Sequence, residues 1–157
     1  MNTAVILTIS DSAHQGKRQD LSGPAIVAEL RAAGFQIAST AVVPDEQDQI
    51  EEALKTCSCE AQLVVTVGGT GIAARDVTPE ATLAVVDRVV PGIAERMRAM
   101  GALKTPLAAL SRGVCGIRGK ALILNLPGSP KAAVESLQAV IDVLPHALEL
   151  LSGNTGH

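Results

Sequence analysis

Aromatic residues are almost absent: the 157-residue chain has no tryptophan, no tyrosine and a single phenylalanine, Phe35. Proteins that hold single-stranded nucleic acid stack its bases on aromatic side chains, and no such platform is available here. A basic excess is missing as well, with 13 lysines and arginines against 16 acidic residues and a formal net charge of −3. Without a broad positive field the chain is poorly equipped to neutralise a row of phosphates or an anionic bilayer, so neither nucleic acid nor membrane is expected as a partner. Recognition of one small anion needs only local donors and survives both absences. Long hydrophobic runs are lacking too, since proline, glycine or charge interrupts every stretch well short of the roughly 20 apolar residues that span a bilayer. The first residues show no basic segment, apolar stretch and small-residue cleavage pattern, and Asp11 follows closely on the apolar run 4–9. The expectation is a mature chain starting at Met1 in a soluble, cytoplasmic protein. Three cysteines, an odd number with Cys57 and Cys59 separated by one residue, match neither a disulfide framework nor a zinc knuckle. They are expected to be reduced, mostly structural thiols.

What the chain does have is 47% apolar and only 18% charged residues, the composition and length of one compact domain over 1–157. Residues 4–9 form a continuous β-branched-rich run, the pattern of a strand buried on both faces of a parallel sheet. Ser22-Gly23-Pro24 opens a helical pattern with Ser22 as cap, and Gly34 closes it. Residues 35–43 read as a second strand, after which Asp45 is a plausible N-cap for a helix carrying Ile50, Ala53, Leu54 and Cys57. A third strand, 63–67, runs into Gly68-Gly69-Thr70-Gly71, where a loop must begin. Thr78-Pro79-Glu80 has the cap, first-turn proline and early acid of a helix start, and a second start follows at Pro91-Gly92. Residues 107–110 and 121–126 are expected as further strands. Ser129-Pro130 announces the last helix, which Pro145 kinks or restarts, and 152–157 is expected to fray. Strands alternating with helices imply an α/β fold: a single doubly wound, mostly parallel sheet with helices on both faces.

In such a sheet, ligands bind beyond the carboxyl ends of the strands. Ser10-Asp11, Pro44-Asp45, the glycine cluster and Pro127-Gly128-Ser129 each follow an expected strand, so one cleft is expected to gather all four. Any one of these segments alone is ordinary turn chemistry; their coincidence points to a site. The glycine cluster lets backbone N–H groups approach a phosphate, and Thr70 adds a hydroxyl. Gly69-x-Gly71-x-x-Ala74 matches a dinucleotide fingerprint only in form, because the next helix starts near Thr78 rather than inside the glycine run. A P-loop is absent, as Gly119-Lys120 lacks its upstream glycine and its following Ser or Thr. No G-x-S-x-G elbow occurs, and His14, His146 and His157 have no metal-ligand spacing. Asp45 and Asp76 facing one phosphate make chemical sense with Mg²⁺ between them, since that ion takes one or two carboxylates plus phosphate oxygens and water. Helix capping competes for Asp45, and a loop salt bridge competes for Asp76. Asn125 stands at a strand end where its amide is available for recognition, while Ser129 and the helix start behind it suit an anion. Arg112, Arg118, Lys120 and Lys131 are scattered cations with no assigned catalytic role.

Taken in order, Val43-Pro44-Asp45-Glu46, Gly68-Gly69-Thr70-Gly71 continuing to Arg75-Asp76-Val77-Thr78-Pro79-Glu80-Ala81-Thr82, Gly116-Ile117-Arg118-Gly119 and Leu124-Asn125-Leu126-Pro127-Gly128-Ser129-Pro130 resemble the MoaB/Mog family of molybdenum-cofactor biosynthesis over nearly the whole chain. The chain is similar also to the G domain of gephyrin-type proteins. The resemblance implies a molybdopterin adenylyltransferase, which transfers AMP from ATP to the pterin phosphate with Mg²⁺ and releases pyrophosphate. It implies Asp45 and Asp76 as the catalytic, metal-holding acids, with Gly68, Gly69, Thr70, Gly71, Asn125, Pro127, Gly128 and Ser129 lining the substrate site and Thr78 and Glu80 supporting that wall. A homotrimer or hexamer and a molybdenum insertase partner are further implications. Two alternatives share the fold: a carrier that binds pterin or nucleotide without turnover, and an interaction scaffold. The scarcity of aromatics adds an expectation that adenine and pterin are gripped by peptide planes, aliphatic side chains and hydrogen bonds.

Overall fold

The computed structural model describes residues 2–156. Strand β1 (Thr3–Ile9) is followed by a single helical turn, α1 (Asp11–His14), and by α2 (Ser22–Ala32), which crosses to β2 (Gln36–Val43). Helix α3 (Gln47–Glu60) leads to β3 (Leu63–Val67), and α4 (Thr78–Val85) to a two-residue strand, β4 (Arg88–Val89). Then come α5 (Pro91–Ala102), a 3-10 helix (Pro106–Leu110), the hairpin of β5 (Cys115–Arg118) and β6 (Ala121–Leu126), and finally α6 (Pro130–Val140) and α7 (Leu144–Leu151).

The strands lie in the order β2-β1-β3-β6-β5-β4. β1 is parallel to β2 and β3, β3 is parallel to β6, and β5 runs antiparallel to both of its neighbours. Strand alternation sorts the core into two layers. Ala4 and Ile6 of β1, with Leu63 and Val65 of β3, pack under α2, α5, α6 and α7, where Ile26, Leu30, Met97, Leu137 and Leu148 close the layer. Val5, Leu7 and Ile9, with Val64, face the other way onto Ile50 and Leu54 of α3 and Ala81 and Val85 of α4. Because β1, β3 and β6 are covered on both sides, they read as unbroken apolar runs; β2, at the edge, leaves most of its residues exposed.

Several local expectations need correction. Residues 107–110 are not a strand: Thr105 Oγ1 accepts from the Leu107 N–H at 3.3 Å and Pro106 opens the 3-10 turn, leaving Leu107 68% exposed. That segment pairs with no strand, so its apolar character serves a cavity wall instead. The antiparallel strands β4 and β5 escaped the pattern because Gly116 and the charges at Arg88 and Arg118 break any apolar run. Ser22 does not cap α2; Asp20 Oδ1 accepts from the Gly23 N–H at 3.0 Å, and the Ser22 hydroxyl donates to the Gly128 carbonyl at 2.6 Å. Asp45 does not cap α3, whose cap position falls on Glu46 without a side-chain bond. Thr78 is the first residue of α4 rather than its cap, and Pro145 restarts the helix as α7. Residues 152–156 lie in neither helix nor strand, and the expectations for Met1 and His157 lie outside the described residues. Among the described residues no helix is long and apolar enough to cross a membrane.

Candidate functional site

The chain leaves β1 toward β2 on one side and returns with β3 on the other, so the winding reverses between the carboxyl ends of β1 and β3. That reversal opens a crevice in an α/β sheet, and the loops expected to converge do so there. The Ser10 N–H donates to the Val43 carbonyl at 2.9 Å, tying the end of β1 to β2. The Gly68 N–H donates to the Leu126 carbonyl at 3.0 Å, tying β3 to β6. Gly68 has φ +106° and Gly69 φ +68°, and a Cβ added to Gly68 would collide with the Ile9 carbonyl oxygen. Only glycine lets the two strand ends come this close.

Two cavities meet across this crevice. A polar one of about 380 Å³ is lined by Ser10, Asp45, Gly68 and the start of α6, and a larger one of about 510 Å³ by Thr70, Gly71, Met97, Leu107, Ser111 and Asn125. Gly69, Asp76, Gly128 and Ser129 belong to both. The N–H groups of Gly69, Thr70 and Gly71 donate to no acceptor among the described residues, leaving three backbone donors for an anion. Across from them Ser129 Oγ caps α6, accepting from the Ala132 N–H at 3.3 Å, and the positive end of that helix opens on the polar cavity.

The two acids are held differently. Asp11 and Asp45 clasp each other through main-chain donors: the Asp11 N–H reaches Asp45 Oδ2 at 2.9 Å and the Asp45 N–H reaches Asp11 Oδ1 at 3.0 Å. Arg75 forks onto Asp11 at 2.7 and 3.1 Å and onto Glu46 at 2.9 Å. Its hydrogen bonds pull the Asp11 carboxyl below the ordinary range, whereas burial pushes Asp45 up, reinforced by the neighbouring charges of Asp11 and Asp76. Asp76 Oδ2 accepts from the Ala73 N–H at 3.1 Å. The remaining carboxylate oxygen of each acid, Oδ1 of Asp45 and Oδ1 of Asp76, accepts from no group among the described residues. Two hard oxygens with free lone pairs fit a Mg²⁺ ion that keeps water and phosphate ligands. No cluster of three or more His, Cys, Asp or Glu side chains that would cage a metal occurs among the described residues.

Not every expected residue presents a free side-chain group to the crevice. Asn125 is 1% exposed and its amide is spent inside: Nδ2 donates to Thr66 Oγ1 and Thr82 Oγ1, both at 3.0 Å, and Oδ1 accepts from the Val114 N–H at 3.2 Å. An unpaired amide at that depth would cost about 1–3 kcal/mol, and the Asn125 amide stitches β6 to β3 and α4. The Thr78 hydroxyl donates to the Gly68 carbonyl at 3.0 Å and the Thr78 N–H to the Gly69 carbonyl at 3.1 Å, which makes Thr78 a brace for the glycine turn. Glu80 lines neither cavity and pairs with Arg112 at 2.6 and 3.1 Å. Asp11 also stands behind the wall, holding Asp45. Phe35 is buried in the core and borders neither cavity.

Three residues that matter to this geometry carried no local signal: Asp20, which accepts from the Thr8 hydroxyl at 2.7 Å, Arg75 and Arg112. Arg75 sat beside Asp76 in the motif, but nothing in the spacing indicates that it reaches back 64 positions to Asp11.

The model of the probable molybdopterin binding domain matches residues 5–146. A curated molybdopterin adenylyltransferase of Helicobacter pylori is 44% identical over 154 residues, covering 95% of this chain and 87% of that protein. The protein of the same name from Escherichia coli K12 is 44% identical over 174 residues, covering 98% and 88%. Among solved structures, the molybdopterin biosynthesis enzyme MoaB of Thermus thermophilus superposes with a TM-score of 0.93 at 53% identity, covering 98% of each chain. A glycine turn at the switch point, two acids with free oxygens and matches that run the length of the fold lead to one assignment: the chain belongs to the MoaB/Mog family of molybdopterin-binding proteins.

Proposed function

We propose that this protein is a molybdopterin adenylyltransferase, transferring AMP from ATP to the terminal phosphate of molybdopterin with release of pyrophosphate. The observation that carries the reading is the meeting of Asp45, Asp76 and the unpaired Gly69 N–H in one cavity, with the unpaired N–H groups of Thr70 and Gly71 at the cavity that adjoins it, in a chain 44% identical to curated enzymes of that name. A phosphate oxygen of the pterin attacks the α-phosphorus of ATP, the bond from that phosphorus to the bridging oxygen breaks, and the electron pair leaves on pyrophosphate. No protein nucleophile is needed. What the reaction asks of the protein is alignment of two anions and fixed donors where negative charge grows.

The chain's parts suit those tasks. The N–H groups of Gly69, Thr70 and Gly71 and the start of α6 face phosphate oxygens. Asp45 and Asp76 hold Mg²⁺, which when bound supplies charge neutralisation on the phosphates. The larger cavity, walled by aliphatic and methionine side chains and free of aromatic rings, takes a heterocycle against apolar surface and peptide planes. A cytoplasmic homotrimer or hexamer that hands its product to a molybdenum insertase completes the proposal.

The test is direct. Purified protein given ATP, Mg²⁺ and molybdopterin should yield adenylylated pterin and pyrophosphate in equal amounts. Tight pterin binding with no AMP transfer would overturn the enzyme reading in favour of a carrier.

A further inference from the structure

Arg112 holds the segment that carries Asp76 at both ends. Its Nε donates to the Gly71 carbonyl at 2.7 Å and its Nη2 to the Asp76 carbonyl at 2.8 Å. The same guanidinium forks onto Glu80, in the first turn of α4, at 2.6 and 3.1 Å. Its main-chain N–H donates to the Thr70 carbonyl at 2.8 Å. Between those anchors the loop's other ties are the fork of Arg75 onto Asp11 and Glu46 and the bonds within the loop itself. Ile72, Ala73, Ala74 and Arg75 are exposed, and within the loop the Asp76 N–H reaches the Ala73 carbonyl at 3.0 Å while Ala73 returns a bond to the Asp76 carboxylate. With no core contact, a loop of this kind takes its shape from its hydrogen bonds. Arg112 itself borders neither cavity, but the residue before it, Ser111, lines the larger one.

We propose that Arg112 is a positioning residue for the transfer reaction: by fastening Gly71 and Asp76 to α4 through Glu80, it sets the direction from which the Asp76 carboxylate enters the cleft. The inference rests on the adenylyl-transfer reading and deepens it. Fork geometry, not positive charge alone, does the fastening. Two carbonyls and a carboxylate are met by one rigid plane of donors, which a lysine ammonium on a flexible stem does not reproduce. Neutralising Asp76 at a distance would require only charge, and lysine would then suffice.

Arg112→Lys and Arg112→Gln, measured beside the wild type and Asp76→Ala, separate these roles. The readouts are hydrogen exchange of residues 70–78, kcat and KM for molybdopterin, and the Mg²⁺ concentration giving half-maximal transfer. Both Arg112 variants should exchange at least tenfold faster at the bonded amides of that segment, Ala73, Asp76 and Thr78, while β1 and β3 keep their protection. Both should lose at least tenfold in kcat and need several times more Mg²⁺, with KM for the pterin within about twofold of wild type. Arg112→Lys behaving as wild type in kcat and Mg²⁺ demand would overturn the proposal, as would unchanged exchange in either variant. If Arg112→Gln does not fold, Glu80→Gln removes the charge from one anchor of the fork and should show the same signs at smaller amplitude; wild-type behaviour there counts against the proposal. Failure of the wild type itself to transfer AMP would strike the adenylyl-transfer reading. Faster or unchanged exchange in the Arg112 variants would still decide whether Arg112 fixes the loop.

Discussion

Gly68 and Gly119 both have positive φ, but for different reasons. Gly119, at φ +59°, sits in the two-residue turn between β5 and β6, and a Cβ there would meet nothing within 4 Å. Gly68, at φ +106°, lies outside the left-handed well that other residues tolerate, and its Cβ would strike the backbone of Ile9, which cannot swing away. Gly119→Ala should therefore cost about 1–2 kcal/mol of stability, and Gly68→Ala about 3 kcal/mol or more, combining strain with overpacking. Denaturant unfolding of the two variants measures the difference; equal costs would mean that the β1 and β3 ends are not pressed together as described. The same scale shows what residue type leaves open. Asn125 was an attractive ligand group by type and position, yet its amide is engaged within the scaffold, whereas Thr78 and Glu80, expected as supports of the wall, do bond to the scaffold around it. Polar residues near a site are as often its joinery as its contacts, and residue type alone does not tell the two apart.

Helix α4 is the element on which the site's loops are hung. It braces the glycine turn through Thr78 and the Asp76 loop through the Glu80 and Arg112 pair. Hydrogen bonding to Arg112 draws the Glu80 carboxyl below its ordinary value of 4.5. The ionised form is thus favoured in the folded chain. Its contribution is complete above pH 4.5 and fades as the pH falls through the lower, folded value. Glu80→Gln should unfold at a lower temperature than wild type at pH 7, and the gap should close as both are acidified below pH 4.5. A gap that widens in acid would contradict the sign. Elements were legible in the sequence where burial was two-sided. The runs of β1, β3 and β6 are apolar because both faces are covered, and proline and glycine punctuate their ends. The 3-10 helix and the β4 and β5 strands were not legible. The first has strand-like residues at a cavity rim, and the others are too short and too interrupted by Gly116 and arginines to carry a period.

At the scale of the whole molecule, the site follows from winding. Parallel strands send their carboxyl ends to one rim, so residues as distant in the chain as Ser10, Asp45, Gly69 and Ser129 share a cavity. That much was readable from strand order logic and the turn residues that end each run. The two arginines that fix the acids were not, because they act across 36 to 64 positions of sequence and leave no periodic trace. Cys57 and Cys115 fit the expectation of structural thiols, both being buried, with burial pushing them up to about 11 and about 12, whereas Cys59 is exposed.

The central claim is that Asp45 and Asp76 act together on one cation in one cleft. The most direct measurement is a double-mutant cycle on AMP transfer with Asp45→Ala, Asp76→Ala and the pair, each checked for an intact fold by thermal unfolding. Residues that work as a unit are strongly non-additive. Each single variant should lose about 100-fold or more in kcat/KM, the scale on which removing one transition-state stabiliser acts, and the double variant should be little worse than the weaker single. Turnover at the wild-type level in Asp76→Ala, or losses that simply multiply in the double variant, would contradict the account.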